Sequence, residues 1–193
     1  MHQRPPDPDA GRHPGAGPRP GPLELVVLVG LQASGKSTFR ARAFTGTHAV
    51  VSKDLFRRAR HRQRRQMRLV EEALGEGVPV VVDNTNPSPL EWAPLIAAGR
   101  AHGARVLAYW FPPDVAGALE RNAAREGHER VPDVGVYATL KRLRRPRRAD
   151  GFDLVHEVTF DGHGGFLVRP LDDDEESARD VDPPRSGHGV TSL

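Results

Sequence analysis

The stretch Glu24-Leu25-Val26-Val27-Leu28-Val29-Gly30-Leu31-Gln32-Ala33-Ser34-Gly35-Lys36-Ser37-Thr38 decides the architecture. Its first part is an unbroken apolar run, Leu25–Val29, the pattern of a strand buried on both faces. From Gly30 to Ser37 it fits G-x-x-x-x-G-K-[ST], and a helix is expected from about Gly35. Between a strand and a helix, such glycines let the backbone bend so that successive N–H groups and the helix N-terminus point at phosphate oxygens. Gly30, Ala33, Ser34, Gly35, Lys36, Ser37 and Thr38 are therefore the candidate nucleotide-binding residues. Lys36 is expected to reach the β- and γ-phosphates of ATP, and the Ser37 hydroxyl to bind Mg²⁺.

Outward from this loop, short apolar runs alternate with helical stretches. His48–Ser52 reads as a second strand and Lys53 to about Gly75 as one long basic helix whose apolar face is Leu55, Phe56, Ala59, Met67, Val70 and Leu74. Val78–Val82 is a third strand, Ser88–Gly103 a helix with a Ser cap and a Gly stop, and Arg105–Phe111 a fourth strand. Asp114 opens a helix to about Arg125, another begins near Pro132, and Phe152–Phe160 with Phe166–Val168 completes the sheet. Strands apolar on both faces, alternating with helices, imply an α/β fold: a parallel sheet covered on two sides. The domain is expected over residues 23–171. Residues 1–22, rich in Pro and Gly, and the acidic 172–193 are expected to be disordered.

Two carboxylates fall on the same sheet edge as the loop. Asp83 ends the third strand, where it either supports the metal or caps the turn Asn84-Thr85-Asn86-Pro87. Asp54, just after the second strand, either accepts the proton of an attacking hydroxyl or simply complements a helix dipole. Arg57 lies one turn further on, placed to hold an anionic group of an acceptor. Arg121 and Arg125, spaced i, i+4 before a charged loop closed by Pro132, are either a lid over the γ-phosphate or a solvated helix face.

The 193 residues allow one ordinary domain with tails. Cysteine is absent, which excludes disulfides, thiolate metal sites and a cysteine nucleophile, and makes the cytoplasm the default location. No apolar run approaches the roughly 20 residues of a membrane span, and Met1–Pro22 has Pro and Gly where a secretory signal would be apolar. The net charge of +3 divides into +1 over 1–22, −5 over 171–193 and +7 between them. A basic middle points to a polyanionic partner such as a nucleic acid, or else reflects an Arg-rich composition. Arg57, Arg58, Arg60, Arg62, Arg64, Arg65 and Arg68 crowd into twelve residues, and Lys141 to Arg148 form a second cluster. Either suits a phosphate backbone or a solvated surface. The nine histidines show no metal-ligand spacing.

Taken in order, the phosphate loop, Ser52–Arg57, Val81-Val82-Asp83-Asn84-Thr85-Asn86-Pro87, Arg121–Pro132, Val136-Tyr137 and Gly151-Phe152 resemble the kinase domain of the polynucleotide 5′-hydroxyl kinases. The resemblance spans about 23–170 and implies a P-loop NTPase fold of the kinase type, with ATP and Mg²⁺ as cofactors. It implies Asp54 as general base, Lys36 and Arg125 as stabilisers of the transferring group, and Arg121 beside the nucleotide. It also implies Ser37 and Asp83 at the metal and Arg57, Asp83, Asn84 and Asn86 toward the acceptor, a DNA or RNA 5′ end. The chain departs from the family in Ser52-Lys53-Asp54, where Asn-Arg-Asp is frequent, and it has no Asp-x-Asp-Gly-Thr phosphatase motif. A kinase of a small metabolite, antibiotic or nucleotide-sugar, and a nucleic-acid-binding ATPase, are the alternative readings.

Overall fold

The computed structural model describes residues 22–56, 60–127 and 130–172. Its strands are β1 (Glu24–Val29), β2 (Ala49–Val51), β3 (Val80–Val82), β4 (Arg105–Trp110), β5 (Leu154–Phe160) and β6 (Phe166–Pro170). Its helices are α1 (Lys36–Ala43), α2 (Arg62–Gly75), α3 (Pro89–Ala101), α4 (Val115–Ala123) and α5 (Asp133–Arg142). The sheet order is β2-β3-β1-β4-β5-β6. The first five strands run parallel, joined by crossovers; β6 returns antiparallel to β5 because the short 161–165 connection leaves no room for one. That last pairing departs from the all-parallel expectation.

The pleat explains why β1 has no polar side. Leu25, Val27 and Val29 join the core beneath α2 and α3, with Val80, Val82, Trp92, Leu95 and Val106. Val26 and Leu28 point the other way, into a second core of Phe39, Phe44, Val81, Leu107, Phe111 and Val158. A period of two therefore feeds two cores, and both faces must be apolar. Helix α3 comes so close to the sheet that a Cβ on Gly99 would stand 2.6 Å from Val106 Cγ2.

The expected helix from Lys53 to Gly75 is instead a 3₁₀ turn, Lys53–Phe56, followed by α2 from Arg62. His61 stands between them with φ of 56°, outside the right-handed region. That left-handed residue breaks helical continuity, and α2 restarts beyond it on Arg62 with no acid in its first turn. The apolar face shifts accordingly: Leu55 is 72% exposed, whereas Gln66, Val70 and Leu74 are buried. No helix among the described residues is long and apolar enough to cross a membrane. The expected disordered ends fall outside the described residues, save Pro22 and Asp172.

Candidate active site

The phosphate loop runs from the C-terminal end of β1 into α1, with left-handed backbone at Ala33 (φ 56°) and Gly35 (φ 93°). Gly35 needs its missing side chain twice over: a Cβ there would meet Phe160 Cζ at 2.8 Å. The Lys36 ammonium is buried and folds back over the loop, donating to Gly30 O at 3.0 Å, to Ser34 Oγ at 3.1 Å and to Leu31 O. Burial lowers its pKa to about 8; Arg125 pushes the same way, while Asp83 and Asp54 oppose it. These four charges act on one another across a single site. A lysine whose hydrogen bonds go only to its own loop is poised to exchange carbonyls for phosphate oxygens, and Ser37 is exposed at the start of α1.

A cleft of about 540 Å³ opens over this loop, lined by its residues from Gln32 to Thr38 and, opposite, by Asp54, Asp83, Asn84 and Arg125. Asp83 is buried at the end of β3, and its Oδ2 accepts from Arg40 Nε at 3.1 Å. Asn84 Oδ1 accepts from the Lys53 amide at 2.9 Å while its Nδ2 donates to Gln66 Oε1 at 2.9 Å, tying the turn that bears Asp54 to β3 and to α2. Arg62 and Val131 also face the cleft. The loop after α4 is stapled by Asn122, fully buried, whose Nδ2 donates to Val131 O at 2.6 Å and whose Oδ1 accepts from Val131 N at 3.0 Å.

Asn86 corrects one expectation. It is buried to 1% exposure with φ of 39°, and its Nδ2 donates to Leu28 O, so it braces β1 instead of facing an acceptor. Arg121 is drawn away from the phosphate cleft: its Nε donates to Ala33 O at 2.8 Å, its Nη2 pairs with Asp114, and its guanidinium lies 5.0 Å over the Phe160 ring. Gly30 does not line the cleft but shapes it, its N–H donating to Thr85 O and its carbonyl receiving Lys36. Arg57 lies outside the described residues. Arg40, Gln66 and Asn122 escaped the sequence reading, because only their partners across 43, 18 and 9 positions reveal them. Among the described residues no group of three His or carboxylates could hold a metal alone. The Ser37 hydroxyl and the Asp83 carboxylate in one cleft fit a hard cation that takes its other oxygens from phosphate and water.

A second cavity, of about 220 Å³, adjoins the cleft at Ser34, which lines both. Its walls are Phe111, Pro112, Pro113, Val158, Phe160 and Phe166. The β5–β6 hairpin supplies Phe160 and Phe166, whose ring centroids lie 5.3 Å apart. An apolar slot on one side of Ser34 and a cationic cradle on the other form a divided site, suited to a flat base joined to a polyphosphate.

Residues 25–149 match the family model described as AAA domain, AAA_33. Over 141 residues, 71% of this chain, the sequence is 27% identical to the bifunctional polynucleotide phosphatase/kinase of Schizosaccharomyces pombe, and it spans about a third of that protein's length. The AvrRxo1-ORF1:-ORF2 crystal structure with ATP is similar at a TM-score of 0.60 and 16% identity, covering 89% of this chain and 66% of that one. Chaetomium thermophilum Kti12 in complex with ADP-AlF3 is similar at 0.55 and 15%, covering 81% and 94%. The mostly parallel six-stranded sheet, its helices and its phosphate loop make the fold that of a P-loop NTPase.

Proposed function

The chain belongs to the AAA domain family AAA_33, and from that membership we propose that it is a kinase moving the γ-phosphate of ATP to the 5′-hydroxyl of a DNA or RNA end. One observation carries the reading: Asp54 and Arg125, remote in sequence from the phosphate loop, line the same cleft as Lys36. A nucleotide-binding switch needs the loop alone; a kinase also needs a carboxylate beside the terminal phosphate and a cation over it. The polynucleotide acceptor rests on the motifs of Ser52–Arg57 and Asp83–Pro87, on the S. pombe relative and on the cations around Asp54.

In this mechanism the base enters the slot between Phe160 and Phe111, and the triphosphate lies along the loop amides. Lys36 leaves its carbonyl partners for the phosphates. Asp54 accepts the proton of the 5′-hydroxyl as that oxygen bonds to the γ-phosphorus, and the bond to the β–γ bridging oxygen breaks to release ADP. Lys36 and Arg125 meet the negative charge on the equatorial oxygens. Ser37 and Asp83 would hold Mg²⁺, which when bound neutralises phosphate charge; Arg40 fixes the orientation of the Asp83 carboxylate. The test is transfer of label from γ-labelled ATP to 5′-hydroxyl DNA, 5′-hydroxyl RNA, mononucleotides and sugars in parallel. Label on a polynucleotide end supports the proposal. Label only on a small molecule, or only as free phosphate, overturns it.

A further inference from the structure

Beside the cleft a groove of about 650 Å³ runs between the start of α3 and the segment leaving α5. Lys141, Arg142, Arg144, Arg145 and Arg147 line it, over a floor that includes Trp92. Its shape is fixed from beneath. Leu143 and Pro146 are buried, the Arg144 amide donates to Pro87 O at 2.8 Å, and the Arg147 amide donates to Asp150 Oδ2 at 2.8 Å. These two buried anchors leave Arg144 and Arg147 exposed and Arg145 half-buried at the surface. Arg142 pairs with Glu91; among the described residues Lys141, Arg144 and Arg145 have no carboxylate partner.

The groove meets the site at the turn that follows β3: Thr85 lines the cleft and Ser88 the groove, and the Arg144 amide is hydrogen-bonded to Pro87 between them. The other basic surface, formed by Arg60, Arg64, Arg65 and Arg68, follows α2 away from the sheet edge that carries the cleft. There Arg68 is already paired with Glu72 and Arg65 lies over Phe56.

We propose that the groove between α3 and the α5–β5 connection is the track for the phosphate backbone of a single strand whose 5′ end lies at Asp54, with Lys141, Arg144 and Arg145 receiving its phosphates. The inference rests on the polynucleotide reading of the site and adds the path of the strand and the side on which it leaves. Contacts of this kind position a chain without reading its bases. Binding should therefore be indifferent to sequence and steep in salt, at about 0.7 in the log–log slope for each phosphate contact on a single strand.

The test is equilibrium binding of a fluorescent 12-nucleotide 5′-hydroxyl single strand over a salt series. It compares the full chain, Lys141→Ala/Arg145→Ala in the groove, and Arg64→Ala/Arg68→Ala on α2. The groove pair is expected to raise Kd about tenfold and flatten the slope by about 1.4. The α2 pair, removing the same charge, should change Kd less than threefold. Equal losses from the two pairs would mean that only net charge matters, and a larger loss from α2 would put the strand on the other side; either result overturns the proposal. Label transfer by the unaltered chain separates the two claims. Transfer to the strand with unchanged binding by the groove pair sinks the track alone. A flattened slope without transfer to any nucleic acid sinks the kinase reading and leaves the groove as a strand-binding surface.

Discussion

The two walls of the cleft are built by different means. On the nucleotide side, Gly30 to Thr38 is one continuous segment, and its geometry follows from a strand end, two left-handed residues and a helix start. On the proposed acceptor side, Asp54, the pair Asp83-Asn84 and Arg125 come from three segments held together by side chains: Asn84 bridges Lys53 and Gln66, Arg40 grips Asp83, and Asn122 staples Val131. A wall made of backbone tolerates changes at its surface. A wall made of side-chain bridges loses its shape when one bridge goes.

The sharpest way to break this contrast is to remove one group from each wall. Asp54→Ala should lower the rate of phosphate transfer by about 10²–10⁴, the range for loss of a general base, while the Kd for ATP changes less than threefold. Lys36→Ala should weaken ATP binding as well as transfer. If Asp54→Ala costs binding and turnover alike, the two walls do not divide the work, and Asp54 is not the base.

Asn122→Ala tests whether a buried bridge positions Arg125. Both polar groups of Val131 would lose their partner, a penalty of about 1–3 kcal/mol for each group left unsatisfied and dry. Thermal unfolding should drop by several degrees. Beyond that, kcat should fall more than the KM for ATP, since Arg125 lies in the loop between residues 122 and 131. Asn122→Asp keeps the acceptor for Val131 N–H but sets a buried acceptor against Val131 O, and should recover part of the loss only at a pH low enough to protonate that carboxyl. A fall in melting temperature with kcat intact would make the staple structural only. On the nucleotide side, Phe160→Ala opens the apolar slot and should raise the KM for ATP about tenfold, a loss of about 1.4 kcal/mol. It should scarcely change the acceptor KM.

The same contrast explains what the sequence revealed. The loop was legible because its function lies in adjacent residues whose backbone does the binding. The strands were legible because a parallel sheet makes them apolar on both faces, as in Leu25–Val29. Asp54, Asp83 and Arg125 could be read as candidates from strand ends and family motifs, and they meet in one cleft. Asn86 misled, since an Asn in a motif gives no sign whether its amide faces a substrate or a neighbouring strand, and here it faces Leu28. The helix expected from Lys53 is broken at His61, whose left-handed backbone no apolar spacing signals. Phe160 and Phe166 lie on the last hairpin, more than 120 positions from the loop they cover, and no local pattern links them to it.

The smallest expected effect concerns protons on the nucleotide wall. Burial lowers the Lys36 pKa to about 8. Phosphate oxygens favour its charged form, so nucleotide binding raises that pKa, and above pH 8 binding must take up a proton. Affinity for ATP should thus be nearly constant below pH 7.5 and fall as pH rises through 8, to about fourfold weaker at pH 8.5 than at pH 7. Burial holds His48 and His156 below the usual imidazole range, so neither titrates in this window. Stability moves the opposite way in the unliganded chain. Between about pH 8 and the unfolded lysine value the unfolded state binds more protons, and folding gains as pH rises. Lys36→Met should abolish both slopes. If calorimetry finds no proton uptake on ATP binding at pH 8.5, Lys36 remains on the loop carbonyls when the nucleotide arrives, and the cradle works through its backbone amides alone.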